Sequence, residues 1–333
     1  MNYRNLGRTG VKVSELCLGC MNFGHKTDLE ESCTIIARAL DAGINFLDTA
    51  NVYSRGRSEE VTGEALQRTG ARDRIVLATK VHGKMDDSDP NGSGNTRRHI
   101  VAQCEASLRR LKTDRIDLYQ IHRPQSDIPI DETLRALDDL IRAGKVLYAG
   151  TSTFASWQLM ESLMVSRELG LNRFVCEQAP YNLLDRRIER ELIPFAQTHG
   201  FAIIPWSPLG GGLLSGAYTR ETPKPEGARY SSDAPHFRAR MVGDLFDHLE
   251  ALFSLAESRG CPPSRVALAW CLGRPGITSP IIGPRTSAHL EDYLAALDLQ
   301  LTAEELSRLD EAFPPGGMIS PFYEADFGPS QFR

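Results

Sequence analysis

The sequence lacks any apolar run approaching the roughly 20 residues that a membrane-spanning helix needs. It also lacks a block of lysine and arginine, since 38 basic residues are scattered among 43 acidic ones and the net charge is −5. That distribution disfavours nucleic-acid binding. Residues 1–5 do not form the apolar core of a signal peptide. We therefore expect a cytoplasmic protein that binds neither a membrane nor a nucleic acid.

The seven cysteines are odd in number and scattered along the chain, which argues against a disulfide framework. Cys17 and Cys20 match the C-x-x-C pattern, but a redox pair of this kind needs a helix N-terminus to lower the thiol pKa. These two cysteines instead lie in an apolar, strand-like run. The pattern favours core packing for Cys17, and a position at the mouth of a binding site for Cys20, over a redox or metal-binding role.

No predicted strand is followed by G-x-G-x-x-G, the signature of doubly wound dinucleotide-binding folds, so a doubly wound sheet is the less favoured alternative. The 333-residue chain instead alternates eight strand-like segments with helical patterns. Such alternation implies parallel strands with right-handed crossovers. The predicted fold is an α/β protein, a (β/α)8 TIM barrel forming one domain over residues 1–333, with an N-terminal β-hairpin and extra C-terminal helices.

Apolar periodicity and turn residues set the predicted boundaries. The predicted barrel strands are 16–19, 45–48, 75–79, 116–122, 146–151, 174–178, 201–206 and 279–282. The predicted helices are 29–41, 58–67, 96–111, 130–143, 157–169, 188–199, 245–259, 264–273, 288–297 and 302–313. Asp28 is placed to cap the first helix, with Glu31 completing a capping box.

Two long polar segments interrupt the alternation. Residues 83–95 are rich in aspartate and glycine but lack the spacing of a calcium-binding EF-hand loop, which favours a solvated loop over a metal site. Residues 207–242 contain three consecutive glycines and several prolines, and they far exceed the usual connection of about 2–6 residues. We expect this second segment to cover the mouth of the barrel.

Reactive side chains follow three consecutive predicted strands. Asp48 ends the second strand, and the loop after it delivers Tyr53. Lys80 follows the third strand, and His122 ends the fourth. Each residue alone has an ordinary explanation, such as a helix cap or a solvated side chain. Because polar residues at the carboxyl ends of barrel strands share one mouth, their co-occurrence predicts a common site.

Together these side chains can move a proton to or from an oxygen atom. A phenol has a reference pKa of about 10, and a neighbouring ammonium lowers it by favouring the phenolate. Lys80 would supply that ammonium to Tyr53, and Asp48 would hold Lys80 charged. His122 could donate a hydrogen bond to the same substrate oxygen. Protonating an oxygen is half of a carbonyl reduction, and because no side chain supplies hydride, the site requires a nicotinamide cofactor.

These motifs resemble those of the aldo-keto reductase superfamily over nearly the whole chain. The matching segments are 43–50 with Tyr53, 78–80, 120–122, 206–216 and 281–285. The chain looks most like the branch containing bacterial oxidoreductases and the β-subunits of voltage-gated potassium channels. The resemblance implies NADPH-dependent reduction of an aldehyde or ketone. It also implies a catalytic tetrad, with Tyr53 as general acid, made of Asp48, Tyr53, Lys80 and His122.

The resemblance further implies how the cofactor is held. The nicotinamide would stack on Trp206, with Ser152 and Gln178 at its carboxamide. Segment 207–216 would bring backbone N–H groups to the pyrophosphate, and the Arg285 fork would bind the 2′-phosphate. No metal site is implied. The residues expected to contact the cofactor are Gly19, Cys20, Met21, Asp48, Ser152, Gln178, Trp206, Ser207, Pro208, Leu209, Gly211, Gly216, Gly283, Arg285, His289 and Asp292.

The chain departs from this branch on the adenine side and beside Ser152. The helix after Arg285 carries His289 and Tyr293 where glutamine and asparagine usually face adenine. Thr153 stands where an asparagine is common. These departures leave NADPH as the expected cofactor ahead of NADH.

Two other functions fit parts of the sequence. A cofactor-binding regulatory subunit of the channel β-subunit type would keep the same motifs, although an intact tetrad favours turnover. A metal-dependent barrel hydrolase could use His82 and His122, but the first strand offers no ligand. The resemblance allows a homo-oligomer as well as a monomer. A small polar carbonyl substrate, sugar-like or anionic, is indicated by loop residues Arg123, Tyr218, Arg229, His236, Phe237 and Phe322.

Overall fold

A computed structural model describes residues 1–226, 240–320 and 322. The strands are β1 (Tyr3–Asn5), β2 (Lys12–Ser14), β3 (Cys17–Gly19), β4 (Phe46–Asp48), β5 (Val76–Val81), β6 (Ile116–Ile121), β7 (Val146–Ser152), β8 (Phe174–Gln178), β9 (Ala202–Ile203) and β10 (Ile281–Ile282). The α-helices are α1 (Leu29–Asp41), α2 (Arg57–Thr69), α3 (Arg97–Leu111), α4 (Ile130–Arg142), α5 (Ser156–Leu169), α6 (Leu192–His199), α7 (Leu245–Ser258), α8 (Pro263–Leu272), α9 (Ser287–Ala295) and α10 (Ala303–Ala312).

The eight strands from β3 to β10 form one parallel sheet in the order β10-β3-β4-β5-β6-β7-β8-β9. Its two edges are joined by backbone hydrogen bonds. The Thr278 N–H donates to the Ile203 carbonyl at 2.8 Å, and the Ile281 N–H donates to the Pro205 carbonyl at 2.8 Å. These bonds curl the sheet into a barrel, and the predicted (β/α)8 fold is confirmed.

The barrel interior is apolar at the bottom and polar at the top. Along β4, β5 and β6, alternate residues face inward, so Phe46, Ala78 and Leu118 lie in the interior cluster. The inward positions two residues later are Asp48, Lys80 and Gln120. The reactive side chains therefore form the uppermost interior layer. The interior cluster consists of Leu6, Val13, Cys17, Phe46, Ala78, Leu118, Val175, Cys176, Ala202 and Ile204.

The predicted N-terminal hairpin is formed by β1 and β2, and in the structure it closes the bottom of the barrel. Leu6 and Val13 are fully buried in the interior cluster. At Gly7, where φ is +58°, a Cβ atom would lie 2.5 Å from the Val175 carbonyl oxygen. Glycine is therefore required for the close approach of the hairpin to β8. This closure leaves the carboxyl end of the strands as the accessible end.

Two predicted boundaries were wrong because of proline. A helix over 188–199 would place Pro194 in its interior, where it removes a hydrogen bond and clashes with the preceding turn. The structure instead has a 3-10 turn at Arg187–Glu189, and α6 begins at Leu192. The seventh barrel strand, predicted over 201–206, is limited to β9. Pro205 has no N–H to extend the ladder.

The predicted capping box of α1 is half formed. Asp28 Oδ1 accepts a hydrogen bond from the Glu31 N–H at 2.9 Å, as a cap should. The Glu31 carboxylate, however, accepts from the Ser287 N–H and hydroxyl at the start of α9. It therefore links α1 to α9 and does not return to its own cap.

The long connection after β9 is described only in part. It contains a 3-10 turn, Gly210–Ser215. Arg229, His236 and Phe237, considered above for substrate binding, lie outside the described residues. Within the described part of the chain, no helix combines the length and apolar composition needed to cross a membrane.

Candidate active site

Asp48, Lys80 and Tyr53 form a line of contacts at the carboxyl end of the barrel. The Lys80 ammonium donates to Asp48 Oδ2 at 2.5 Å and to the Thr49 carbonyl oxygen at 2.8 Å. Its nitrogen lies 3.3 Å from the Tyr53 hydroxyl oxygen. Burial alone would lower the pKa of Lys80, but the adjacent Asp48 carboxylate and the Tyr53 hydroxyl together outweigh it and hold the pKa above its usual value. The amine is therefore charged at neutral pH.

Asp48 is held by two side-chain amides in addition to Lys80. Gln120 Nε2 and Gln178 Nε2 each donate to Asp48 Oδ1 at 3.0 Å. Gln178 Nε2 also lies 3.2 Å from Gln120 Oε1. Both carboxylate oxygens of this buried group are therefore hydrogen-bonded, as a buried charge requires. These contacts fix Asp48 beside Lys80.

Tyr53 lies in a short 3-10 turn (Tyr53–Gly56) that the sequence did not predict. Ser54 and Arg55 in this turn have φ values of +49° and +55°, a region that is costly for residues other than glycine. Arg55 forms an ion pair with Asp87 at 2.5 Å, which ties the turn to the acidic loop. Strained backbone persists where its surroundings over-determine it, and here the strain adjoins the residue that carries the phenol.

His122 packs edge-to-face against Tyr53, with ring centroids 5.7 Å apart and an interplanar angle of 82°. The backbone N–H of His122 donates to the Val81 carbonyl at 2.9 Å, which fixes the residue at the end of β6. Burial lowers the pKa of His122 well below its usual value, and the charges of Lys80 and Arg123 lower it further. The imidazole is therefore neutral at physiological pH and retains one ring N–H as a donor.

Asp48, Tyr53 and His122 line a cleft of about 940 Å³, near the upper end of the range for small-molecule sites. Lys80 lies behind them and is completely buried. Residues from both ends of the chain therefore meet in one cleft. The residues expected at the cofactor that line it are Gly19, Met21, Asp48, Ser152, Gln178, Trp206, Ser207, Pro208, Leu209, Gly211, Gly283, Arg285, His289 and Asp292.

Cys20 and Gly216, also expected at the cofactor, do not line this cleft. Cys20 is fully buried, and burial raises the pKa of its thiol to about 12. Burial likewise raises the pKa of Cys17 well above its usual value, so neither residue is the thiolate that redox chemistry needs. Gly216 has a φ of +86° and faces Pro263, and it ends the glycine-rich turn.

His82 and His122 are the histidines that a metal-dependent hydrolase would use. The described residues contain no group of three or more His, Cys, Asp or Glu side chains arranged to hold a metal ion. His82 Nδ1 lies 3.0 Å from Asn95 Oδ1, and this contact gives the ring a structural hydrogen bond near the end of β5.

The glycine-rich turn Gly210–Ser215 presents backbone to the cleft. Gly211 and Gly212 have φ values of +65° and +109°, which glycine adopts without strain. Ser207 also has a positive φ of +53°. Trp206 lines the cleft, and its buried indole N–H has no partner among the described residues. An aromatic face beside glycine backbone that lines the cleft suits a nicotinamide dinucleotide with a pyrophosphate group.

One end of the cleft is lined by α9 and the loop before it. The Arg285 backbone N–H donates to His289 Nδ1 at 3.4 Å. The rings of His289 and Tyr293 lie nearly parallel, with centroids 6.4 Å apart and an interplanar angle of 17°. Asp292 accepts a hydrogen bond from Ser264 Oγ at 2.6 Å. Two flat ring surfaces therefore line this end of the cleft.

Gln120 and Glu177 belong to the hydrogen-bond network of the site but were not predicted as functional. Gln120 is a polar residue two positions before His122 in a largely apolar strand, and that exception was the available signal. Glu177 likewise interrupts the apolar part of β8. Nothing in the sequence indicates that its side chain would meet Thr151 on β7.

Comparisons with known proteins cover nearly the whole chain. Residues 15–313 match the sequence profile of the aldo/keto reductase family. The uncharacterized oxidoreductase YrpG of Bacillus subtilis (strain 168) is 40% identical, over 97% of this chain and 99% of its own length. A versiconal hemiacetal acetate reductase of Aspergillus parasiticus is 34% identical, over 95% and 98%. A probable voltage-gated potassium channel subunit beta of Oryza sativa subsp. japonica is 34% identical, over 93% and 96%. The chain therefore belongs to the aldo/keto reductase family, and its similarity to oxidoreductases runs from end to end.

Proposed function

We propose that this protein reduces an aldehyde or ketone to the alcohol, with NADPH as the hydride donor. The observation that carries the proposal is the line of contacts from Asp48 through Lys80 to the Tyr53 hydroxyl at the cleft. A phenol beside a buried ammonium is suited to giving up a proton, because the ammonium stabilises the phenolate left behind.

Reduction of a carbonyl group needs a hydride at carbon and a proton at oxygen. NADPH, when bound, supplies the hydride. Tyr53 donates its proton to the carbonyl oxygen, so its O–H bond breaks as the alcohol O–H bond forms. Lys80 stabilises the phenolate, and Asp48 keeps Lys80 in place. Neutral His122 donates a hydrogen bond to the same oxygen and orients it.

The cleft has suitable groups for each part of the cofactor. Trp206 would stack on the nicotinamide, and Ser152 would lie at the carboxamide. Segment 207–216 would approach the pyrophosphate through its glycines. Arg285 would bind the 2′-phosphate as a bidentate donor, which a planar guanidinium does better than an ammonium.

The remaining part of the cleft combines positive charge with aromatic surface. Arg123, Tyr218, Arg240 and Phe322 line it. The Arg240 guanidinium lies 4.6 Å from the centroid of the Phe322 ring and donates to the Phe322 carbonyl at 2.8 Å. These groups favour a small polar carbonyl compound, sugar-like or anionic, as the substrate.

Mixing the purified protein with NADPH and a reactive aldehyde such as nitrobenzaldehyde tests the proposal. We expect the near-ultraviolet absorbance of NADPH to fall, with the alcohol appearing in equal amount. A panel of carbonyl compounds that includes neutral and phosphorylated sugars would then rank substrates by kcat/KM. If no member of the panel oxidises NADPH, the proposed reaction is rejected.

A cofactor-binding regulatory subunit is the second candidate, and the similarity to the probable channel subunit of Oryza sativa favours it. In that role NADPH would bind while turnover stayed slow or absent. Fluorescence titration that shows binding, together with no oxidation by the substrate panel, would support it. Rapid turnover would instead support the reductase.

Arg285→Ala should weaken NADPH binding selectively. Loss of a charge-assisted hydrogen bond costs about 1.5–3 kcal/mol, or roughly a 10- to 100-fold rise in Kd. NADH has no 2′-phosphate, so its Kd should change little. Fluorescence titration with both cofactors measures the contrast, and Arg308→Ala on the exposed side of α10 is the control. An equal loss for both cofactors would contradict this role of Arg285, and a wild-type KM for NADH at or below that for NADPH would contradict the cofactor preference.

A further inference from the structure

One buried acid lies beside the cleft without taking part in the proposed reaction. Glu177 sits on β8 and is fully buried. It pairs with Thr151 of β7, and the next pair in the register is Ser152 with Gln178. Both members of that next pair line the cleft. Glu177 and Thr151 are therefore each one residue away from the cleft.

Glu177 fastens the turn that follows β7. Its Oε1 accepts a hydrogen bond from the Phe154 N–H at 3.1 Å, and its Oε2 lies 2.6 Å from Thr151 Oγ1. Between these anchor points Thr153 has a φ of +63°, which is rare and costly for a β-branched residue. Such a backbone needs fixed surroundings, and the carboxyl group of Glu177 supplies two of the fixed points.

The same turn holds Ser152 at the cleft. Ser152 Oγ donates to the Gln178 carbonyl at 2.9 Å, and the Thr153 N–H donates to the same oxygen at 3.1 Å. Arg123 Nη1 donates to Thr153 Oγ1 at 3.1 Å. Arg123, which follows His122 in the chain, is thus hydrogen-bonded to this turn as well. Loosening the turn would break the hydrogen bond between Ser152 and Gln178 and displace both residues.

The contacts of Thr151 indicate which form of Glu177 the network holds. Thr151 Oγ1 lies 3.1 Å from the Cys176 carbonyl oxygen as well as 2.6 Å from Glu177 Oε2. A hydroxyl has one proton, and the carbonyl can only accept. A protonated Glu177 satisfies both contacts, because it donates to Thr151 while Thr151 donates to Cys176. An ionised Glu177 competes with the carbonyl for the same proton.

The electrostatic surroundings agree with the hydrogen bonds. Burial raises the pKa of Glu177 to about 8, and hydrogen bonds from Thr151, Phe154 and Thr153 and the charge of Arg123 oppose this only in part. Among the described residues, Arg123 is the charged group that acts on Glu177, and no described cation forms an ion pair with it. At neutral pH the acid is mostly uncharged.

We propose that Glu177 is a positioning residue that, in its uncharged form, holds the turn at 152–154 so that Ser152 and Gln178 meet the nicotinamide end of the cofactor. This inference rests on the proposed use of NADPH. It makes cofactor binding depend on a proton that the reaction itself does not consume. The turn is intact while the acid is neutral. At higher pH an ionised carboxylate would be buried without an ion-pair partner, so opening of the turn to solvent becomes more favourable and cofactor binding weakens.

Glu177→Gln tests the proposal, because its amide mimics the neutral acid: the oxygen can accept from Phe154 and the nitrogen can donate to Thr151. At about pH 6.5 we expect its Kd for NADPH to equal that of the wild type. At about pH 9.5, where the wild-type acid is ionised, the Kd of the variant should be about tenfold or more below that of the wild type. The ratio of the two Kd values cancels the ionisation of the cofactor and of other groups.

Two further variants complete the experiment. Glu177→Ala removes both fixed points, so its Kd for NADPH should exceed that of Glu177→Gln by about tenfold at both pH values. Its kcat at saturating NADPH should change less than its KM for NADPH. Glu168→Gln, exposed on α5, makes the same chemical change far from the cleft and should follow the wild type at each pH.

Parallel pH profiles for the wild type and Glu177→Gln would overturn the inference. A Glu177→Gln variant that fails to fold, or that binds NADPH more than about tenfold weaker at about pH 6.5, would also overturn it, because the proposal makes this variant a mimic of the native acid. A wild-type protein that binds no NADPH at any pH would reject the proposed function and this inference together. The first two results reject the inference alone.

Discussion

Tyr53→Phe is expected to lower kcat by about 10²–10⁴-fold, the usual contribution of a general acid, while the Kd for NADPH changes little. The substitution removes only the hydroxyl that lies 3.3 Å from Lys80 Nζ, and it keeps the ring that packs against His122. The loss falls on kcat because proton donation to the carbonyl oxygen occurs in the transition state. Steady-state kinetics and fluorescence titration measure the two quantities separately.

Tyr119→Phe is the matched control for this experiment. Tyr119 is also buried, and its hydroxyl contacts the Ile100 carbonyl at 3.4 Å, away from the cleft. Its removal should leave kcat within a few-fold of the wild type, since that contact is long for a hydrogen bond. A Tyr53→Phe variant with wild-type kcat would disprove the assignment of Tyr53 as proton donor. Equal losses in both variants would point to general destabilisation.

Helices and strands were predictable where a clear apolar periodicity is bounded by residues that start or end the element. The bounds of α1 and β8 are those predicted, because Asp28 marks the helix start and the strand that begins with Phe174, Val175 and Cys176 has well-defined flanks. The period alone could not place the start of α6, where Pro194 excludes a longer helix. Apolar periodicity reports which face is buried, whereas proline decides where hydrogen bonding stops.

The convergence of the reactive side chains was predictable for a different reason. Asp48, Lys80 and His122 each lie within one residue of the end of a parallel strand, and strand ends meet at one mouth. The two amides that meet at Asp48 Oδ1 depend on side-chain reach across the barrel, from Gln120 and from Gln178. Sequence spacing contains no information about that reach.

The sequence also did not predict the strained turns. Ser54, Arg55 and Thr153 have no residue-type signal for a positive φ, because such conformations are usually taken by glycine or asparagine. Thr153 was singled out only as a departure from a common asparagine. That departure has a structural meaning here, since a β-branched residue in this conformation depends more strongly on the contacts around it.

Lys80→Met should reduce kcat at least as much as Tyr53→Phe and should also destabilise the fold. Among the described residues Lys80 is the cation paired with Asp48, and the pair is buried. Removing one partner of a buried ion pair costs about 3–5 kcal/mol, because the other charge stays buried without compensation. Urea denaturation measures the free energy of unfolding, and steady-state kinetics measures kcat.

The double variant Asp48→Asn/Lys80→Met separates stability from catalysis. Both charges are gone, so most of the lost unfolding free energy should return. The kcat should remain low, because no ammonium then stabilises the Tyr53 phenolate. Recovery of kcat in the double variant would contradict the role of Lys80 in proton transfer. Wild-type stability of Lys80→Met alone would instead contradict a buried ion pair, and with it the argument that Asp48 keeps Lys80 charged and in place beside the Tyr53 hydroxyl.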